Sequence, residues 1–129
     1  MKIKRLEITQ GFDETGEREE FTWDMFPLVD STETAHLDDQ GLPKAGTQIS
    51  EGMIVVGKWG KAKGYDERGL PTSIELHGLP RAELIARFGH YWKVTSVRAD
   101  ASMVGVVVSA KLEPNGEGFQ AIVEIQRLE

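Results

Sequence analysis

Three lysines and a tryptophan crowd into KWGKAKG, residues 58–64, as Lys58, Trp59, Lys61 and Lys63. Ammonium groups neutralise phosphates and an indole stacks on a base, so this run is the candidate nucleic-acid contact. The other reading is a solvated loop with Trp59 turned into the core. Other chemistry finds less material. His36, His77 and His90 are far apart and lack paired ligand spacing. Asp38 and Asp39 are adjacent, but the calcium-loop pattern is absent, and a turn-stabilising role suits Asp38 better. No stretch has the order of a phosphate-binding loop, and no serine sits in a nucleophile elbow. With no cysteine, disulfides and thiolate metal sites are excluded. The expectation is a non-catalytic protein with no metal, no cofactor and no small-molecule substrate.

The 129 residues fit one domain, 1–129, able to bury a core without staples. The formal charge is −6, which opposes non-specific affinity for nucleic acid. Residues 1–40 hold four basic and eleven acidic groups, a net of −7; residues 41–129 hold eleven and ten, a net of +1. The acidity concentrates in FDETGEREEFTWD, and residues 11–20 read as an acidic, solvated loop. The start MKIKRLEITQ has no apolar h-region. The runs MIVV and MVGVVVSA are too short to span a bilayer. These features suggest a soluble, cytoplasmic protein without a membrane partner.

The elements that must position the lysines read as mostly β. KIKRLEIT is a first strand. EFTWDMF alternates Phe21, Trp23 and Met25 as a half-buried strand does, and Pro27 closes it. GMIVVGK is a short strand between Gly52 and Gly57, KWGKAKGYDERGLP a loop by its glycines and charges, and TSIEL another short strand. LPRAELIARFG is a short helix with Pro80 in its first turn and Gly89 at its stop. MVGVVVSAKLE and FQAIVEIQRLE flank PNGEG, a hairpin signal centred on Asn115 and Gly116. The fold class is mostly β: a small barrel-sandwich-like domain of short strands with one short helix and a C-terminal β-hairpin.

Gly41, Gly46 and Gly52 then mark successive turns ahead of a buried strand at Met53 to Val56. Glycine permits positive φ there without a Cβ clash, so Gly46, Gly52 and Gly57 are expected to be structural. Biotin- and lipoyl-carrier domains use a similar turn-strand layout, but no lysine sits here at a tight hairpin tip.

With Leu37 and Asp38 before Gly41, Gly46 and Gly52, and Val56, Gly57 and Lys58 after them, the spacing resembles the flap, or wall, region of the bacterial RNA polymerase beta subunit. That subunit carries a stretch of the form L-D-x-x-G-x-x-x-x-G-x-x-V-x-x-G-D-x-L-V-G-K. Leu37, Asp38, Gly41, Gly46, Gly52, Val56, Gly57 and Lys58 stand at its matching positions, with Ile49, Met53 and Val55 as replacements. EEFTWD resembles its acidic segment upstream. Leu84, Ala86, Phe88 and Gly89 fit a short helix downstream, and Lys93, Ser96, Arg98, Gly105 and Val107 continue the match. The resemblance runs from about residue 17 to the end. It implies a binding module in transcription, with polymerase subunits, a transcription factor or, weakly, nucleic acid as partners. The final hairpin lacks the family's long insertion, which puts the sigma-contacting tip in doubt. The alternative is a free-standing structural or regulatory β domain that has lost the polymerase connection.

Overall fold

A computed structural model describes residues 2–128; Met1 and Glu129, the ends of the expected 1–129 domain, lie outside the described residues. The chain runs β1 (Ile3–Thr9), β2 (Glu20–Phe21), β3 (Gln48–Ile49), β4 (Ile54–Val56) and β5 (Lys58–Lys61). Helices α1 (Ser73–Gly78) and α2 (Arg81–Phe88) follow. Then come β6 (Trp92–Val94), β7 (Val97–Arg98), β8 (Gly105–Asn115) and β9 (Gly118–Arg127). An antiparallel sheet has the order β1-β9-β8-β3; a second has β2-β5-β6; β4 pairs with β7.

The expected C-terminal hairpin is the longest element pair. Its register runs from Gly105↔Arg127 to Asn115↔Gly118 and shifts between Val107 and Ser109. A shift of this kind bends the strand and increases its twist, which curls the sheet. The turn is tighter than the five-residue connection expected. Only Gly116 and Glu117 lie outside the ladder, with Gly116 at φ 63°. A type II′ turn places glycine at this position, and its twist matches the flanking strands.

The core explains the short strands. Leu6, Val107, Ala121, Val123 and Ile125 line one face of the curled sheet. Val55 and Val56 of β4 pack into the same cluster, with Ile49 and Leu42. Ile54 belongs instead to a second cluster with Met25, Val29, Leu37 and Trp59. The strand is therefore buried on both sides, which is why MIVV reads as a continuous apolar run.

Three local expectations need correction. TSIEL is helix α1, not a strand. Thr72 Oγ1 accepts from Glu75 N at 3.2 Å while a Glu75 carboxylate oxygen accepts from Thr72 N at 3.0 Å. This reciprocal capping box nucleates a helix, and Ile74 is left 84 % exposed. EFTWDMF is strand only over Glu20–Phe21. Beyond it, Thr22 Oγ1 accepts from Asp24 N at 3.0 Å. Side chains that bond the backbone two residues on turn the chain out of a ladder. KWGKAKG is not a loop at its start: Lys58–Lys61 is β5, the middle strand of its sheet.

Candidate functional site

The glycine-spaced stretch folds into interlocking turns. Asp38 Oδ1 accepts from Gln40 N at 2.9 Å and from Leu42 N at 3.0 Å, the turn-holding role expected of it. Leu37 is buried in the second cluster. Gly41 has φ 76°, and its carbonyl accepts from Gly57 N at 2.8 Å. The Gly57 carbonyl in turn accepts from Thr22 N at 3.0 Å. Gly46 and Gly52 also have positive φ, at 88° and 90°. Gly57 does not; it is a point of close approach, where a Cβ would overlap the Thr22 carbonyl oxygen. Gly105 plays the same part against the Gln126 carbonyl oxygen. Arg98 donates to the Gly52 carbonyl at 2.9 Å and reaches Glu33 at 3.4 Å. Asp38, Gly41, Gly57 and Arg98 thus bond backbone directly, whereas Leu37 contributes to the core.

The lysine run is built differently from a nucleic-acid surface. Lys58 is buried, with its Nζ 2.6 Å from Glu19 Oε1. The same oxygen accepts from Gly11 N at 3.0 Å, and Glu19 Oε2 accepts from Thr95 Oγ1 at 2.5 Å. Burial pushes the Glu19 carboxyl up. The bonds from Lys58 and Thr95, the Lys58 charge and the Gly11 N–H outweigh it and hold the group below its ordinary value. Trp59 is buried too. Its ring stacks on Trp92 with centroids 4.1 Å apart and planes within 7°, and its Nε1 donates to Glu20 at 3.3 Å. Of the two readings of Trp59, the geometry matches the one that turns it inward. Lys61 Nζ pairs with Glu17 at 2.7 Å at the surface. Lys63 is exposed, and its backbone N–H donates to Glu14 at 3.0 Å.

The acidic segment is thus an ordered hairpin rather than a free loop. Phe12 bridges Arg18, and Asp13 N donates to the Glu17 carbonyl at 2.7 Å. Asp13 Oδ1 accepts from Thr15 N and Glu17 N, while its Oδ2 accepts from Lys61 N at 3.1 Å. Gly60 makes this approach possible, since a Cβ there would come within 2.5 Å of the Asp13 Cβ. The hairpin lies across β5 and meets its lysines one by one. Each pair differs in depth, so each differs in worth. Lys61→Ala is expected to leave the urea-unfolding midpoint unchanged, because exposed ion pairs gain little over two solvated charges. A clear drop would mean that Lys61 fastens the hairpin.

None of the known protein-family models matches this chain. The site is therefore read from its own geometry. His36 Nε2 lies 2.6 Å from the Ile54 carbonyl, and His77 Nδ1 lies 2.7 Å from that of Ser73. His90 packs on the Tyr91 ring at 4.2 Å. Among the described residues, no group of three or more His, Asp or Glu side chains is placed to hold a metal ion. Among them, no helix is long and apolar enough to cross a membrane. Thr95 and Trp92 did not stand out in the sequence; Ser96 entered only through the resemblance, and Glu19 only as part of the acidic run. Ser96 Oγ accepts from Lys58 N at 2.9 Å and donates to the Lys58 carbonyl at 3.1 Å, closing the turn between β6 and β7 onto β5.

Two of the surface pockets meet at the tryptophan stack and make a groove with two ends. Phe26, Pro27, Leu76 and Phe88 wall one end, and Glu17, Glu20 and Arg18 rim the other. Trp59 and Trp92 form the floor of both.

Proposed function

We propose that this chain is a non-catalytic binding module similar to the flap of the RNA polymerase beta subunit, acting in transcription by holding polymerase subunits or a transcription factor. One observation carries the reading. Two segments on which the resemblance rests, the acidic one and the glycine-spaced one, are distant in sequence yet tied through backbone. Thr22 of the first and Gly41 and Gly57 of the second form a chain of hydrogen bonds at 2.8 and 3.0 Å. A Cβ at Gly41 would strike both the Gly57 carbonyl oxygen and the Thr22 backbone.

Direct binding of nucleic acid through Lys58 and Trp59 has no part in this proposal, because one is neutralised inside the protein and the other has its ring face covered. The alternative is a free-standing regulatory domain, and the two-residue turn of the final hairpin favours it. A pull-down from native extract of the source organism, using the tagged chain, decides. Polymerase subunits should dominate the eluate. Their absence from an eluate that holds other specific partners would overturn the polymerase reading and leave the regulatory one.

A further inference from the structure

We propose that the groove over the Trp59–Trp92 stack docks a peptide segment of the partner protein in which an apolar side chain stands next to lysine or arginine. This rests on the reading of the chain as a protein-binding module.

The two ends of the groove differ in chemistry. The first is a cavity of about 180 Å³ walled by Phe26, Pro27, Leu76 and Phe88, with Trp59 and Trp92 beneath. No charged side chain lines it. Phe26 is 36 % exposed there, a large ring left facing water. Open apolar concavities of this kind take an apolar anchor, and the gain comes from removing both surfaces from water.

The second cavity, about 370 Å³, continues over the same two tryptophans and is rimmed by Asp13, Glu17, Glu20, Arg18 and Lys61. Its cations are already engaged. Lys61 pairs with Glu17, and the Arg18 guanidinium lies 4.6 Å from the centre of the Phe12 ring. Among the described residues, the Glu20 carboxylate meets the neutral indole N–H of Trp59 and no cation. The rim is therefore left with negative charge, within a first third of the chain that carries a net of −7. Charge complementarity selects a basic neighbour for the anchor and rejects an acidic one. It also disfavours a polyanion, whose phosphates would meet carboxylates while its bases found the indole faces already stacked on each other.

The test uses fluorescence anisotropy with the full chain. One probe is a labelled short peptide alternating leucine and arginine; the other has glutamate in place of arginine. The basic peptide should bind and the acidic one should not. Glu20→Lys should weaken binding about tenfold, as reversal of a rim charge does. Phe26→Asp should weaken it as well, by placing a carboxylate in the apolar end. Melting curves identify any variant that fails to fold, and Glu20→Gln, which keeps an acceptor for the Trp59 N–H, should weaken binding in the same direction as Glu20→Lys but less. Equal binding of both peptides, binding of neither, or binding indifferent to Glu20→Lys would overturn the proposal. So would displacement of the basic peptide by polyuridylate. Repeating the pull-down with Glu20→Lys separates the two readings. Polymerase subunits captured by the parent chain and lost with the variant support the groove. Equal capture by both sinks the groove and leaves the proposed function standing.

Discussion

Glu19→Ala should lower folding stability by about 3–5 kcal/mol, the usual cost of removing one partner from a buried ion pair. The measurement is the urea-unfolding midpoint. Lys58 loses its counter-ion when Glu19 is gone and has little water to turn to, being 8 % exposed beneath the acidic hairpin. Gly11 N and Thr95 Oγ1 lose their acceptor at the same time. Glu19→Gln combined with Lys58→Met should recover most of the loss, because an uncharged pair of similar volume leaves no ion stranded. A loss below about 1 kcal/mol in Glu19→Ala would mean that the hairpin swings away and lets water reach Lys58. Acid should act in the same direction. The Glu19 carboxyl is held below its ordinary value in the fold, so below that ordinary value the unfolded chain binds more protons than the folded one. Its contribution is complete above the unfolded carboxylate range, near pH 4.3, and is lost as pH falls through the lower folded value.

Gly41→Ala should destabilise the fold by about 3 kcal/mol, against about 1–2 kcal/mol for Gly46→Ala, with both read from thermal and urea unfolding. Both glycines have positive φ, 76° and 88°, where any L side chain is strained. They differ in surroundings. A Cβ at Gly46 meets nothing within 4 Å, so only the backbone term applies. At Gly41 it meets the Gly57 carbonyl oxygen at 2.6 Å and the Thr22 N at 2.7 Å. These are backbone atoms already tied to each other, and they have no rotamer to turn. Crowding of that kind adds about 1–3 kcal/mol to the strain. Equal losses in the two variants would show that the Thr22–Gly41–Gly57 lock yields easily.

The sequence made these turns legible because glycine leaves a local mark. Gly41, Gly46 and Gly52 announce positive φ wherever the chain goes next. The hairpin of β8 and β9 was legible for a similar reason, with alternating Ala121, Val123 and Ile125 behind a glycine turn. Helix α1 was misread as a strand from its isoleucine and leucine; its mark lay in Thr72 and Glu75, three positions apart. The ion pair was not legible. Glu19 and Lys58 are 39 positions apart, and Thr95 lies 76 from Glu19. In a sequence, each charge reads as solvated. Only the pairing of β2, β5 and β6 brings them under one roof. Gly60 misled for the opposite reason. It suggested a loop, whereas its missing side chain makes room for Asp13 to approach a central strand.

The first strand has a partner that does not yet exist when it is made. β1 pairs with β9 from Ile3↔Gln126 to Thr9↔Gln120, and it sits at the edge of its sheet. A ribosome adding roughly 5–20 residues per second needs on the order of ten seconds to deliver β9 after β1 has emerged. Throughout that interval Leu6 and Ile8 have no sheet to join. Their strand must avoid pairing with a neighbouring nascent chain. Lys4, Arg5 and Glu7, interleaved among the apolar residues, supply the charges that discourage such edge-to-edge addition. The curled sheet then closes only once β9 has followed β1 into the open. A chain halted before Gln120 should stay open along the whole length of β1.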